Sequence, residues 1–334
     1  MPARAACPDP LALLNACQQD FPIVARPFEA VAARLACSED AVLDGLRRCR
    51  EAGQISRVGA VWGRGAGGAA ALCALSVAPQ ELERVAAQVS REPAVNHNYA
   101  REHAWNLWYV VTGPDAGAVR RTADRLAHVA GAPALFLPMV RAYRVDLGFD
   151  LRAPFAAAAP RVAPVTTAAA VRAGERPLAA LAEQGLALVQ LPFDVWAAEL
   201  GWPRNAVLAT LRRWKAAGTL RRFGAVVRHH DLGFAANAMT VVQAPPATID
   251  GLGAALAARA GVTLAYQRAT DPRWPYNLYF MVHGRERATV EALVRSALAA
   301  TGAASLPHAT LFSTRRFKQT GGRYFVQPTV EDAP

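Results

Sequence analysis

The amino-acid sequence predicts an α+β chain built by tandem duplication, each half a winged helix-turn-helix module followed by a ferredoxin-like βαββαβ module. Two observations carry this expectation. One half of the 334-residue chain overlies the other. Within each half, apolar residues at helical spacing give way to alternating strands and helices.

The repeat is legible residue by residue. At an offset of about 165 positions, Pro27-Phe28-Glu29 overlies Pro192-Phe193-Asp194, and Ala41-Val42-Leu43 overlies Ala206-Val207-Leu208. Leu46-Arg47-Arg48 meets Leu211-Arg212-Arg213, and Gly59-Ala60-Val61 meets Gly224-Ala225-Val226. Further on the offset grows: Tyr99 and Arg101 meet Tyr266 and Arg268, and Asn106-Leu107 meets Asn277-Leu278. The second copy therefore carries short loop insertions, chiefly at 270–274.

Each copy opens with three helical stretches. In the first, Val42, Leu43, Leu46 and Cys49 form one apolar stripe; Ser38 with Glu39 and Asp40 is a start signal, and Gly53 closes the helix. Val207, Leu208, Leu211 and Trp214, closed by Gly218, repeat the pattern. Short strands at 55–61 and 220–227 follow as wings. Strands and helices are then expected at 72–78, 80–91, 95–99, 105–112, 116–129 and 135–145, and again at 237–243, 248–260, 262–268, 276–282, 286–300 and 310–318. That order folds as a split βαβ sandwich. The intervening segment is rich in Ala and Pro without an apolar period, and reads as a linker or covering arm. The resulting plan is 1–64 and 65–151 for copy one, a linker at 152–177, then 178–230 and 231–325 for copy two. The two ferredoxin-like sheets are expected to pack as a pseudo-dimer within one chain, which leaves room for a homo-oligomer beyond it.

Composition narrows the function classes. No apolar run approaches the ~20 residues a membrane helix needs, and Pro8, Asp9 and Pro10 interrupt any N-terminal signal peptide; the reading is a soluble cytoplasmic protein. All five cysteines lie in the first half with no CxxC pair, which argues against a disulfide framework or a zinc site. No protein metal site is expected. The net charge of +11 is nearly all guanidinium, since Lys215 and Lys318 are the only lysines, and the excess sits mainly in the second half. Codon bias in a GC-rich genome accounts for Arg and Ala alike; the functional alternative is that arginine forks bind carboxylate or phosphate bidentately.

The layout resembles the Lrp/AsnC regulators, and the motifs point more narrowly. Val95-Asn-His-Asn-Tyr-Ala-Arg-Glu-His103 followed by Asn106-Leu-Trp-Tyr109 resembles the signature of one siroheme decarboxylase subunit. Trp274-Pro-Tyr-Asn-Leu-Tyr279 followed by Met281-Val-His-Gly-Arg285 resembles that of its partner subunit, and Phe223-Gly-Ala-Val-Val-Arg-His-His230 resembles the wing common to both. Together the halves resemble the fused siroheme decarboxylase of the d1-type haem pathway. Two departures stand out: Ala265 replaces a cysteine the family often has before the second-half tyrosine, and copy one has Gly63-Arg64 where copy two has Arg228-His229. The resemblance implies removal of carbon dioxide from two acetates of siroheme to give 12,18-didecarboxysiroheme, in haem d1 or alternative haem biosynthesis. It implies no added organic cofactor, the substrate carrying its own iron. The implied partners are the tetrapyrrole and other haem-biosynthesis enzymes, with no membrane and no specific DNA site.

His97, Tyr99 and Arg101 alternate along one strand and so share a face, which makes a poor core strand and a good site. Tyr266 and Arg268 repeat the last two members, with Leu264 in place of the histidine. The catalytic candidates are His97, Tyr99, His229 and His230, with His97 first as proton donor. The substrate-binding candidates are Arg101, His103, Tyr266, Arg268, Arg228, Trp274 and Tyr276. Each has a plainer reading: sheet decoration for the strand residues, a loop role for His103, and DNA-backbone contact or solvation for Arg228, His229 and His230. The aromatics, Trp105, Trp108 and Tyr279 included, could pack a macrocycle or simply fill a core. His283 is structural or a ligand contact, and His128 and His308 are bystanders. The pocket is expected between a ferredoxin-like sheet and a wing. Two rival functions stand beside the decarboxylase. A ligand-responsive transcription regulator would use Arg47, Arg48, Arg50, Arg204, Arg212, Arg213 and Lys215 to read DNA; a haem-binding sensor would use a histidine as axial ligand without turnover.

Overall fold

The computed structural model describes residues 8–145, 151, 168–228 and 236–325. The first copy runs α1 (Pro10–Gln18), α2 (Pro27–Arg34), α3 (Glu39–Glu51), β1 (Ile55–Trp62), β2 (Ala69–Leu75), α4 (Leu82–Arg91), β3 (Val95–Arg101), β4 (Leu107–Gly113), α5 (Ala116–Ala130) and β5 (Ala134–Val145). The second repeats it as α6 (Arg176–Gln184), α7 (Pro192–Leu200), α8 (Arg204–Ala216), β6 (Leu220–Val227), β7 (Ala236–Val242), α9 (Ile249–Ala257), β8 (Val262–Arg268), β9 (Leu278–Gly284), α10 (Arg287–Thr301) and β10 (His308–Gln319).

Local chemistry sets the boundaries. The Ser38 hydroxyl accepts from the Ala41 amide at 3.2 Å and starts α3, while Pro27 and Pro192 open α2 and α7 where a missing N–H costs nothing. Strands β4 and β9 begin two residues later than the sequence suggests, for the same reason in each copy. Asn106 clamps the backbone of Val77, accepting from its N–H at 3.0 Å and donating to its carbonyl at 2.7 Å. Asn277 does the same to Ala244, at 2.8 Å for both bonds. The motif asparagines therefore fix a turn.

The wings depart from expectation. Each copy supplies one strand, and a lone strand leaves its backbone groups unpaired. The two pair with each other, Ile55 opposite Val227 and Val58 opposite Ala225, in a two-stranded antiparallel sheet. Helix α1 packs on β6 and α6 on β1, so the helical modules exchange packing partners across the repeat. They share one hydrophobic core, with Phe28, Leu46, Phe193, Leu211, Trp214 and Phe223 buried together. The described end of the linker lies along this unit as a covering arm: the Ala168 amide donates to Arg64 at 2.7 Å, the Val171 amide to Ala66 at 2.6 Å, and Val171 is buried.

The ferredoxin-like modules join edge to edge. Copy one has the order β5-β2-β4-β3 and copy two β10-β7-β9-β8, and the two sheets close into an eight-stranded barrel through β5–β8 and β10–β3. Strands β5 and β10 make this possible by being long. The first half of β5 pairs with β2 and its second half with β8; β10 begins on β7 and ends on β3. This is the pseudo-dimer the repeat predicts, with each sheet edge sealed by the other copy. Helices α4, α5, α9 and α10 cover the outer faces, over cores that include Tyr109 and Val111 in one half and Phe280 and Val282 in the other. Leu72, Trp108, Met239, Tyr279, Met281 and Leu311 pack inside the barrel, and beside them a cavity remains.

Candidate active site

The interior cavity, about 410 Å³, is lined by His97, Tyr99 and Arg101 from β3 and by Tyr266 and Arg268 from β8. The two sets expected in separate half-sites face one space between the sheets. None of the described candidates lines the cavity beside the wing, whose wall includes Trp62, Arg64 and Arg221. The physical reason is the edge pairing. Each copy's last strand crosses into the other sheet, which brings the inner faces of β3 and β8 around one interior.

The two arginines mirror each other. Arg101 donates from Nη1 to the Leu311 carbonyl of the other copy's last strand at 2.9 Å, and Arg268 donates to the equivalent Leu137 carbonyl at 2.8 Å. Arg101 also donates to Asn237 Oδ1 at 3.2 Å. Both are buried, and the Nε of each is shielded from solvent without a hydrogen-bond partner. Neither has an acidic partner among the described residues. Burial pulls the Arg101 guanidinium down to about 10, still charged at neutral pH. Each cation sits over its neighbouring tyrosine, Arg101 at 5.8 Å from the Tyr99 ring and Arg268 at 4.5 Å from the Tyr266 ring.

His97 stacks on Tyr99 with ring centroids 6.2 Å apart. Burial lowers its pKa from 6.5 to about 4, so the imidazole is neutral at neutral pH. His283, left open by the sequence, also faces the cavity, with Nδ1 2.8 Å from the Thr263 hydroxyl.

Other candidates lie elsewhere. His103 is exposed and off the cavity wall; its Nδ1 accepts from the Trp105 amide at 3.0 Å, and its ring meets the edge of Trp274. Trp274 is buried behind Trp108, donates to the Tyr279 hydroxyl at 2.7 Å, and packs against Tyr276. Of this aromatic group, Trp108 alone reaches the cavity; the others are a supporting layer. Arg228 leaves the end of β6, where its amide donates to Gln54 and its guanidinium lies 3.4 Å from the Gly53 carbonyl, far from the barrel interior in its contacts. His229 and His230 lie outside the described residues. The sequence reading missed Arg316, Gln319 and Ser313 of β10, which line the cavity opposite β3.

Several basic side chains of the helix-turn-helix units pair within the chain at its surface. Arg204 pairs with Asp194, Arg213 with Glu175, Arg47 with Asp44, and Arg212 donates to the Ile23 carbonyl. Cys17, Cys49 and Cys73 are buried and Cys37 is half-buried. Among the described residues, no helix is long and apolar enough to cross a membrane, and no cluster of three or more His, Cys, Asp or Glu could hold a metal.

A barrel of two joined ferredoxin-like sheets around a ligand-sized interior defines a duplicated ligand-binding fold. The AsnC-like ligand binding domain model matches residues 66–144 and 231–318, and the siroheme decarboxylase NirDL-like HTH domain model matches residues 11–55. The siroheme decarboxylase NirDL subunit of Paracoccus pantotrophus is 42% identical over 93% of this chain and 95% of its own length. The siroheme decarboxylase of Hydrogenobacter thermophilus is 31% identical over 94% of each chain. The crystal structure of siroheme decarboxylase NirDL in complex with an iron-uroporphyrin III analogue is 28% identical, with a TM-score of 0.67 over 94% of each chain. The chain belongs to the siroheme decarboxylase family.

Proposed function

We propose that this protein removes carbon dioxide from two acetate side chains of siroheme, in the cavity between its two sheets. One observation carries the reading. Two buried arginines related by the internal repeat face a single cavity, each with a shielded Nε left without a protein partner. Buried guanidinium groups without acidic partners are costly unless a ligand completes them, and a tetrapyrrole carries carboxylates around its rim. Arg101 and Arg268 would hold propionate or acetate groups, and the apolar wall of Trp108, Met239, Leu264 and Met281 suits a flat macrocycle.

The chemistry needs little else. In each step the bond from the methylene to the carboxylate breaks, carbon dioxide leaves, and the electron pair passes into the macrocycle. One proton then converts the methylene to a methyl. His97 is our candidate for delivering that proton, with Tyr99 beside it. Burial favours the neutral imidazole of His97, and nearby substrate carboxylates would draw it toward its protonated form. The siroheme brings its own iron, and the scheme invokes no added organic cofactor. Reduced thiols and the tetrapyrrole substrate fit the cytoplasm, where other haem-biosynthesis enzymes would deliver siroheme and take the product.

Anaerobic incubation with siroheme, followed by mass spectrometry, tests the reading. Successive loss of two carbon dioxide units is expected. A tetrapyrrole that stays bound and unchanged would instead make the protein a sensor.

A further inference from the structure

The barrel has two seams, β3–β10 and β5–β8, each made of one strand from each copy. The internal repeat makes them comparable position by position. Tyr99 and Arg101 at one seam match Tyr266 and Arg268 at the other, and the Arg101 and Arg268 guanidinium groups rest on matching carbonyls. Beyond these pairs the four seam strands differ in one direction, while His283, on β9 beside β8, has Thr112 as its counterpart. His97 is matched by Leu264, Arg316 by Ala142, Gln319 by Val145, and Ser313 by Met139. In register, Gln319 lies opposite His97 and Arg316 opposite Tyr99, so the polar members are neighbours. Every one of these differences between the seam strands puts the hydrogen-bonding or charged group at the β3–β10 seam.

We propose that the cavity has a single reaction station, at the β3–β10 seam, and only a holding station at the β5–β8 seam, so that the half-finished macrocycle leaves and re-enters turned over between the two decarboxylations. The inference rests on the siroheme reading. Each loss needs its own proton, and the β5–β8 seam offers leucine where the other offers an imidazole. The two target acetates at positions 12 and 18 each sit beside a propionate, and turning the macrocycle over exchanges the two acetate–propionate pairs. At the reaction station His97 faces the methylene while Arg101 and Arg316 take the neighbouring propionate. At the holding station Arg268 secures the other pair against an apolar wall. The macrocycle would lie between two sheets that bound it on both faces, and in the proposed sequence it turns over in solution rather than in place. The rival is a second station served by His283, whose counterpart in copy one is Thr112.

The experiment follows siroheme and its products with one and two carboxylates lost, anaerobically, by mass spectrometry. The variants are His97→Leu, Arg316→Ala and His283→Thr, each placing at one position the residue its repeat partner already carries. His97→Leu is expected to slow both losses by the same factor, roughly 10²–10⁴ for a lost general acid. Arg316→Ala and His283→Thr are each expected to change both losses by one common factor, smaller than that of His97→Leu. In the wild type, isotopically labelled siroheme chased with excess unlabelled siroheme should leave the label in the singly decarboxylated species. The proposal is overturned if His97→Leu or His283→Thr makes one loss at the normal rate and then stalls, or if labelled intermediate runs on to the doubly decarboxylated product despite the chase. A wild-type protein that binds siroheme without losing carbon dioxide overturns the functional reading itself, and this inference with it.

Discussion

Replacing Arg101 by methionine separates a binding arginine from a structural one. Arg101 is buried, its hydrogen bonds go to a neutral carbonyl and a neutral amide, and burial already weakens its hold on the proton. A buried charge with no counter-ion contributes little to folding, and replacing such a group by an apolar side chain of similar volume is often neutral or stabilising by about 1–4 kcal/mol. Two hydrogen bonds are lost against that gain, so the net change in unfolding free energy should lie within about 1 kcal/mol of zero. Substrate binding should respond differently. A charge-assisted hydrogen bond to a carboxylate contributes about 1.5–3 kcal/mol, so siroheme affinity should fall roughly 10- to 150-fold. Urea denaturation and anaerobic spectrophotometric titration measure the two quantities on one preparation. A variant that loses several kcal/mol of stability yet binds siroheme normally would refute the reasoning and make Arg101 a structural strut between the copies. Arg268→Met is its internal control and should behave alike.

Three further outcomes follow from the same structure. Because burial depresses the His97 pKa from 6.5 to about 4, the unfolded chain takes up this proton first as pH falls; the stability His97 contributes is complete above 6.5, declines between 6.5 and 4, and levels off below. Wild type should lose at most about 3 kcal/mol more than His97→Leu between pH 7.5 and 4, less if water fills the cavity, and parallel denaturation midpoints would contradict this. Asn106→Ala should cost about 1–3 kcal/mol through the orphaned Val77 backbone groups without weakening siroheme binding; unchanged stability with lost binding would place the asparagine in the site. Gel shifts at physiological salt should give no nanomolar sequence-specific DNA complex, and one that persists there would overturn the view of the helix-turn-helix units as scaffold, since non-specific binding fades steeply with salt.

Much of this fold is legible in the sequence because the duplication leaves identical residues at turns and core positions: Gly59 and Gly224, Leu46 and Leu211, Asn106 and Asn277. Alternation also put His97, Tyr99 and Arg101 on one face correctly, and all three reach the cavity. What alternation cannot say is which strand edges meet. The pairing of β1 with β6 and the crossing of β5 and β10 into the opposite sheet are tertiary choices, and they gather the candidates of β3 and β8 around the barrel interior. Bulges hid the rest. Register shifts between Ser313 and Arg315 and between Arg316 and Lys318 break the two-residue period of β10, so no face could be assigned to Arg316 or Gln319 from spacing. Proximity in sequence does not fix depth in the fold: His103 follows β3 closely yet lies in a loop off the cavity wall, and Trp274 and Tyr276 form a layer behind Trp108.

The most direct test is the structure of the protein with siroheme bound under anaerobic conditions. The macrocycle should lie between the two sheets, with its carboxylates on Arg101 at one seam and Arg268 at the other, and with an acetate methylene facing His97. A tetrapyrrole seated instead in the cavity beside the wing, against Trp62, Arg64 and Arg221, would contradict the account.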